Sequence, residues 1–434
     1  MRQLNIFVIG LDEGNLDTLR DVPHAAEYRF HPLLGIEELQ HGEIPIADLI
    51  AKARAELDAF DGRVDAIVGY WDFPVSSIVP ILCEHYGLRG TSLESVVKCE
   101  HKYWSRLEQS KVTDAHPPFG LVDLDGEPRP PDGVDFPMWL KPVKSASSEL
   151  AFHVADEREF RRAAAEIADG VDRMGAPFEY VMDRLRLPPE IEAAGGRACL
   201  AEQALSGVQA AVEGYVHDGK VTVYGALDSV NYPDSPCFLR HQYPSRLPEP
   251  ALRRFTEVAE KVITQVGMDS ATFSVEFFYD PDTGAVNVLE VNPRHSQSHA
   301  ELFEYVDGVP NHHCMLSLAL GRDPRLPDRR GEYAVAAKWY YRRFADGVVR
   351  RRPTAEEVAR IEREIPGVKI DIVPEEGQRL SELPGQDSYS FELAHVFVGA
   401  GDDAELTAKY DRCVESLRFE FADSAPTDPL GEAR

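Results

Sequence analysis

The 434-residue chain is short of paired cysteines, of long apolar runs and of positive charge. Its six cysteines (Cys83, Cys99, Cys199, Cys237, Cys314 and Cys413) are scattered without a Cys-x-x-Cys pair. That excludes zinc ribbons and disulfide scaffolds and suits the reduced thiols of a cytoplasm, the expected location. No run approaches the ~18 apolar residues of a membrane span, so no membrane partner is expected. The opening MRQLNIFVIGLDEGN holds only the short run Ile6 to Ile9, which reads as a strand rather than a secretory leader. Lys plus Arg number 46 against 74 Asp plus Glu, a formal charge of −28. Affinity for nucleic acid comes largely from cations displacing counterions, so nucleic acid and anionic lipid drop out as partners. The acidic excess reads as a solubilising surface, and any anionic ligand needs cations placed locally.

What is present is ordinary globular composition, 43% hydrophobic and 28% charged. At about 150 residues per domain the length predicts three units. Residues 4 to 9 and 64 to 69 read as strands between helical patterns such as IADLIAKARAELDAF and SSIVPILCEHYG, the alternation of a parallel sheet covered by helices. This first α/β domain is assigned to residues 1–95. Its second strand ends in Gly69-Tyr70-Trp71-Asp72, where open α/β sheets bind ligands. One helix is predicted over Ser95 to Gln109, followed by a Pro- and Gly-rich stretch from His116 to Pro137 with a strand near Phe119 to Val122. Strands follow at Met138 to Lys141 and 198 to 205, then a hairpin turning at Asp218-Gly219 and a second over Thr272 to Val291. Residues 96–323 form the expected second domain. The third, 324–434, reads as an α+β lobe with strands at 333 to 341, 369 to 374 and 391 to 398, a helix to Leu417 and a frayed tail from Ala422. Arg350-Arg351-Arg352 reads as a solvated turn, and His312-His313 beside Cys314 as core or surface residues rather than a metal site.

The second hairpin carries the most information. If Pro281-Asp-Thr-Gly284-Ala285 is its turn, Glu276 faces Glu290. Alternation then puts Ser274, Glu276, Val288, Glu290 and Asn292 on one face, with Phe273, Val275, Phe277, Leu289 and Val291 on the other. Opposed carboxylates repel each other by up to ~1 kcal/mol at an exposed site, so a positive group belongs between them. Mg²⁺ suits two carboxylates and the amide oxygen of Asn292, and Arg294 adds a fixed cation able to hold a carboxylate or phosphate. Two solvent-facing glutamates are the plain alternative.

Two lysines stand in suggestive contexts for a phosphate ligand, although single lysines are most often just solvated. Lys102 lies on the helix. Lys141 ends the strand before Val143-Lys144-Ser145-Ala146-Ser147-Ser148, a small-residue turn whose N–H groups and hydroxyls, Ser147 and Ser148 among them, can wrap a phosphate. The strand running into Glu202-Gln203-Ala204-Leu205 offers backbone that adenine could read.

Together these residues resemble the ATP-grasp superfamily, in its L-amino acid ligase and biotin carboxylase-like branch. The order of Lys102, Leu140-Lys141-Pro142, Glu202 to Leu205, and the Glu276, Glu290, Asn292 and Arg294 hairpin spans nearly the whole chain. The resemblance implies an ATP-grasp fold, α/β and α+β, with an amino-terminal parallel α/β domain and a carboxy-terminal α+β lobe. It implies Lys102 and Lys141 on the α and β phosphates, residues 202 to 205 along the adenine slot, and Mg²⁺ (or Mn²⁺) on Glu276, Glu290 and Asn292. The implied chemistry is an ATP-dependent carboxylate–amine ligation through an acyl phosphate stabilised by Arg294. The partners are a small carboxylate and a small amine, and a homodimer is left open. Tyr70, Trp71, Asp72, Arg240, His241, His295, Ser296, Ser298 and His299 are the expected substrate wall, with an orienting or structural role for His295 and His299 placed ahead of a base. The alternatives are a carboxylase or phosphotransferase of the same fold, and a nucleotide-binding protein without catalysis. No bicarbonate or biotin signature accompanies the first.

Overall fold

The computed structural model describes residues 2–40, 42–124, 126–145, 149–233, 235, 237–327, 329–383 and 390–423. The chain divides into two compact units. The first comprises Met1–Asp228, Ser245–Ala300 and Val309–Pro327, and the second Ser229–Pro244, Glu301–Gly308 and Asp328–Arg434. The three domains expected from the sequence are a different partition.

The first unit opens with three parallel strands, Leu4–Ile9 at the centre flanked by Tyr28–Leu33 and Ala66–Val68. The expected parallel sheet is there. Tyr28–Leu33 escaped the sequence reading because Pro32 cannot donate to a ladder, and this strand sits at an edge where that donor is dispensable. Helices Ile46–Asp58 and Val75–Tyr86 pack Leu49, Ile50, Ile78 and Leu82 onto Phe7, Ile9 and Ile67.

A four-stranded antiparallel sheet follows, ordered Phe119–Val122, Cys199–Gln203, Met138–Pro142, Phe152–Val154. Helix Glu157–Gly170 covers it with Phe160, Ala163, Ala164 and Ile167, one stripe at helical spacing. The remaining strands of this unit run Val286–Asn292, Ala271–Tyr279, Val208–His217 and the first part of Lys220–Asn231. They are packed under helix Glu249–Val266, where Phe255 stacks on Phe277 at 4.5 Å. The expected turn at Asp218-Gly219 has both residues at positive φ, 49° and 75°, the signature of a tight hairpin.

The second unit is an antiparallel sheet ordered Phe238–Tyr243, Val335–Arg343, Phe391–Ala400, Val368–Ile372. Val335, Ala337, Trp339, Val396 and Val398 form a core with helices Ala355–Glu364 and Asp403–Ser416. Two expectations fail here. Arg350 and Arg351 belong to strand Gly347–Arg351, not to a turn, and Ala422 belongs to its partner Glu420–Asp423, not to a tail. Phe419 and Phe421 supply the apolar contacts that hold this ribbon.

Candidate active site

Glu276 does face Glu290, but a bulge follows at once. Phe277 pairs with Val288 and Phe278 with Asn287, so Leu289 is the extra residue. Val288 is therefore a core residue beside Phe277, not a neighbour of the glutamates as alternation predicted. The bulge is held from outside. The Val288 N–H donates to the Ala115 carbonyl at 2.9 Å, and Arg106 donates to the carbonyls of Val288 and Leu289 at 2.9 and 2.7 Å.

The carboxylate pair is unequal. Glu276 accepts from the Asn292 amide at 3.1 Å and from Gln209 at 3.2 Å. Burial first, then the Glu290 charge, pushes its pKa up to about 7. Burial acts on Glu290 in the same sense, but Lys102 and Lys141 outweigh it and hold Glu290 below the usual carboxylate range. Because Asn292 turns its NH₂ toward Glu276, its carbonyl oxygen is the atom left to offer an ion.

Lys102 reaches this pair through a break that the sequence did not disclose. The expected helix is two, Leu93–Glu100 and Lys102–Ser110, parted at His101. The His101 ring accepts the Trp104 N–H at 3.2 Å and meets the Gly195 carbonyl at 3.0 Å, capping the second helix. Lys102 thus stands at a helix start, where its own N–H binds the Val143 carbonyl at 2.8 Å. Its ammonium donates to Glu290 at 2.6 Å and to the Ser145 carbonyl at 2.9 Å, at the head of the serine turn. Ser147 and Ser148 lie outside the described residues.

Lys141 is 2.6 Å from Glu202, which Arg106 meets from the other side at 2.5 Å. Arg106 and Glu202 are buried, and the Lys141 side chain is 11% exposed. Burial alone would raise Glu202, yet the two cations bring it down to about 2. Glu202 thus serves Lys141 and Arg106, and with them, Lys102 and Glu290 it lines one small pocket. Beyond it, the Gln203 and Ala204 N–H groups are already bound to the Pro118 and Pro137 carbonyls, both at 3.0 Å.

Arg294 lies against Asp72, its Nε and Nη2 meeting Oδ1 at 2.8 and 2.6 Å. Of the expected substrate wall, Tyr70 and Trp71 turn inward instead: the Tyr70 hydroxyl donates to Asp12 and the Trp71 indole to the Gly10 carbonyl. His295 is wholly buried, with Nδ1 on Thr272 and Nε2 on His312, so its ring has no nitrogen left for a ligand. His299 gives Nδ1 to Glu213 at 2.7 Å, and Ser296 and Ser298 face each other through their hydroxyls at 3.2 Å. Arg240 and His241 lie in the second unit, on Phe238–Tyr243, the one over Trp339 and the other beside Ser229.

Sequence reasoning passed over Arg106, Lys144 and Glu213. Glu213 has no exposed surface and gathers Tyr224, Asn311, the Ser296 N–H and His299. The next residue is Gly214, where a Cβ would come within 2.6 Å of the Thr222 carbonyl. Lys144, also buried, is 3.3 Å from Glu100 and lies over the rings of Phe73 and Phe178. Among the described residues no group of three or more His, Cys, Asp or Glu could hold a metal, so an ion here depends on two carboxylates and an amide.

Residues 134–300, which carry Lys141, Glu202, Glu276, Glu290, Asn292 and Arg294, match the family model described as the ATP-grasp domain. An ATP-grasp domain therefore spans residues 134–300. Solved structures align over nearly the whole chain. The L-amino acid ligase of Bacillus licheniformis has a TM-score of 0.70 at 15% identity, covering 98% of this chain and 100% of that one. Phosphoribosylglycinamide synthetase of Anaerococcus prevotii gives 0.64 at 13%, over 97% and 100%. The biotin carboxylase domain dimer of the Hydrogenobacter thermophilus 2-oxoglutarate carboxylase, solved with MgADP and bicarbonate, gives 0.66 at 15%, over 97% and 92%. At these identities the likeness is one of fold. A curated relative, the carbamoyl phosphate synthase large chain of Kocuria rhizophila, is 39% identical over 69 residues, 16% of this chain and 6% of that protein. No helix among the described residues is long and apolar enough to cross a membrane.

Proposed function

We propose that this ATP-grasp chain is an ATP-dependent carboxylate–amine ligase that joins a small carboxylic acid to a small amine and releases ADP and phosphate. The observation that carries the proposal is the site's charge arrangement: Glu276 opposite Glu290, Lys102 on Glu290, and Arg294 held by Asp72. The donor set fits Mg²⁺ or Mn²⁺, since Glu276, Glu290 and Asn292 offer only oxygen and Arg294 does not outweigh burial and the Glu290 charge at Glu276. Bound there, the ion supplies charge neutralisation for phosphoryl oxygens.

Lys102 and Lys141 are the lysines for the nucleotide phosphates. Lys102 already touches Glu290, so a phosphate on this lysine lies next to an ion on that glutamate. With the N–H groups of residues 203 and 204 engaged, Leu205 is the position left in Glu202 to Leu205 to present a donor to adenine. In the reaction a substrate carboxylate oxygen bonds to the γ-phosphorus as the bond to ADP breaks. The amine nitrogen then bonds to the acyl carbon, phosphate leaves, and the amine's proton passes to solvent. Phosphoryl transfer needs mainly positioning and charge neutralisation. Arg294 faces the charge that develops on the acyl phosphate and tetrahedral intermediate. Since the His295 ring is committed within the protein, it orients and does not act as base. Small-molecule substrates, a cytoplasmic location, a homodimer and domain boundaries near residues 95 and 323 belong to the same reading.

The test is ADP and phosphate release with Mg²⁺ across a matrix of amino and carboxylic acids, with the product identified by mass spectrometry. Release that needs both an acid and an amine is expected. Release with an acid alone points to a carboxylase or phosphotransferase, and no release under any pairing to nucleotide binding without catalysis.

A further inference from the structure

A chain of buried and part-buried hydrogen bonds runs from the end of the carboxylate hairpin to the first strand–helix loop, and the reaction above makes no use of it. Thr272 Oγ1 lies 3.1 Å from His295 Nδ1, His295 Nε2 lies 2.9 Å from His312 Nδ1, and His312 Nε2 lies 3.1 Å from Asn15 Oδ1. Asn15 in turn donates its amide to Asp12 at 2.7 Å, and Asp12 also takes the Tyr70 hydroxyl at 3.1 Å.

Its protons can be placed by elimination. The Asp12 carboxylate only accepts, so Asn15 must show it the NH₂ and turn Oδ1 toward His312. His312 therefore carries its proton on Nε2. Both imidazoles are wholly buried, and burial keeps both neutral, with Arg294 and His299 the other titratable or charged groups acting on His295. Nδ1 of neutral His312 must accept, so His295 donates from Nε2, and its own Nδ1 accepts from the Thr272 hydroxyl. From Thr272 to Asn15 every donor points toward Asp12, which Tyr70 meets from the other side.

The two ends meet again at Arg294. His295 is its chain neighbour, with a backbone N–H fixed on Thr272 Oγ1 at 3.1 Å, and Tyr70 stands two residues before Asp72, the carboxylate that grips the Arg294 guanidinium. Arg294, Asp72, Tyr70, Asp12, Asn15, His312 and His295 thus close a circuit. We propose that His312 is a positioning residue for Arg294, holding the guanidinium in place through this circuit without touching substrate. The proposal rests on the reading of Arg294 as the cation that faces the reacting acyl group.

The test has a kinetic and a spectroscopic arm. His312→Leu is expected to lower kcat by about 10-fold or more, since small misplacements near the chemistry are costly. The KM for ATP should stay within about 2-fold, because Lys102 and Lys141 lie outside the circuit. His312→Asn keeps an acceptor for His295 and should recover most of that loss, while Asn15→Ala should fall between the two. Nitrogen NMR of the unaltered protein should show His295 and His312 as Nε2–H tautomers that do not titrate between pH 8 and about 5.5. A kcat unchanged in His312→Leu, a His312→Asn no better than His312→Leu, or an Nδ1–H tautomer at either residue overturns the proposal. If His312→Leu does not fold, Asn15→Ala and the tautomers decide. Absence of ADP release from the unaltered protein overturns the ligase reading; the tautomers, read on the same protein, then decide the circuit by themselves.

Discussion

Glu202 and Glu276 are the same side chain in the same unit, and they are driven in opposite directions. Glu202 lies between Arg106 and Lys141 and is brought down to about 2, whereas Glu276 faces Glu290 and is raised to about 7. Burial acts on both in the same sense, so the difference is entirely in the partners. A carboxylate whose charge is met within the chain is part of the framework. One whose charge is only partly met is prepared for something the chain does not supply, which is where perturbed groups mark function.

The sharpest way to break the contrast is to neutralise the framework member. Glu202→Gln leaves Arg106 and Lys141 as buried cations without their acid, and breaking such a pair costs about 3–5 kcal/mol. Denaturant unfolding should report a loss of that size. Glu276→Gln should leave folding nearly unchanged while lowering the rate of ADP release on the order of 10³-fold, the scale of several kcal/mol of lost charge stabilisation. A large unfolding effect in Glu276→Gln and a small one in Glu202→Gln would invert the assignment.

The pH profile sharpens the same comparison. The folded pKa of Glu202 lies below its unfolded value, so its contribution to stability is complete above about pH 4.5 and is lost as pH falls toward 2. For Glu276 the sign reverses. The folded chain keeps a proton that the unfolded chain releases, so stability falls as pH rises from about 4.5 to about 7. Glu202→Gln should flatten the acid limb of a stability profile and Glu276→Gln the neutral one. The smallest effect is a gain: relief of the Glu276–Glu290 repulsion should stabilise Glu276→Gln by up to ~1 kcal/mol at pH 8 without added metal.

Much of this contrast was legible in the sequence on one side only. The facing of Glu276 and Glu290 follows from a short turn and two alternating strands. The bulge beside them does not, because it is fixed by Arg106 and Ala115, far away in the chain. The helix break at His101 is hidden for a similar reason, since its ring is held by the distant Gly195 carbonyl. The convergence of two cations on Glu202 was hidden as well, because nothing local shows it. A signal was nonetheless present in Lys102, Arg106 and Gln109, a polar stripe at i, i+4 and i+7 on a helix whose Trp104 and Ser105 are buried. Glu213 was signalled too, as a lone acid in the otherwise apolar run Ala210 to Val216. The parallel sheet and the hairpins were legible because their patterns are local. Tyr70 and Trp71 were misplaced because an aromatic at a strand end reads alike whether it faces a ligand or the core.

The central claim is that Glu276 and Glu290 together hold a divalent cation beside the nucleotide phosphates. Its most direct test is calorimetric titration of Mn²⁺ into the protein with ADP at pH 7, in buffers of different ionisation enthalpy. The expected result is one ion bound beyond the nucleotide's own affinity, with release of about half a proton because Glu276 is about half protonated at pH 7, and loss of both in Glu276→Gln. Mn²⁺ affinity and proton release unchanged in Glu276→Gln would contradict it.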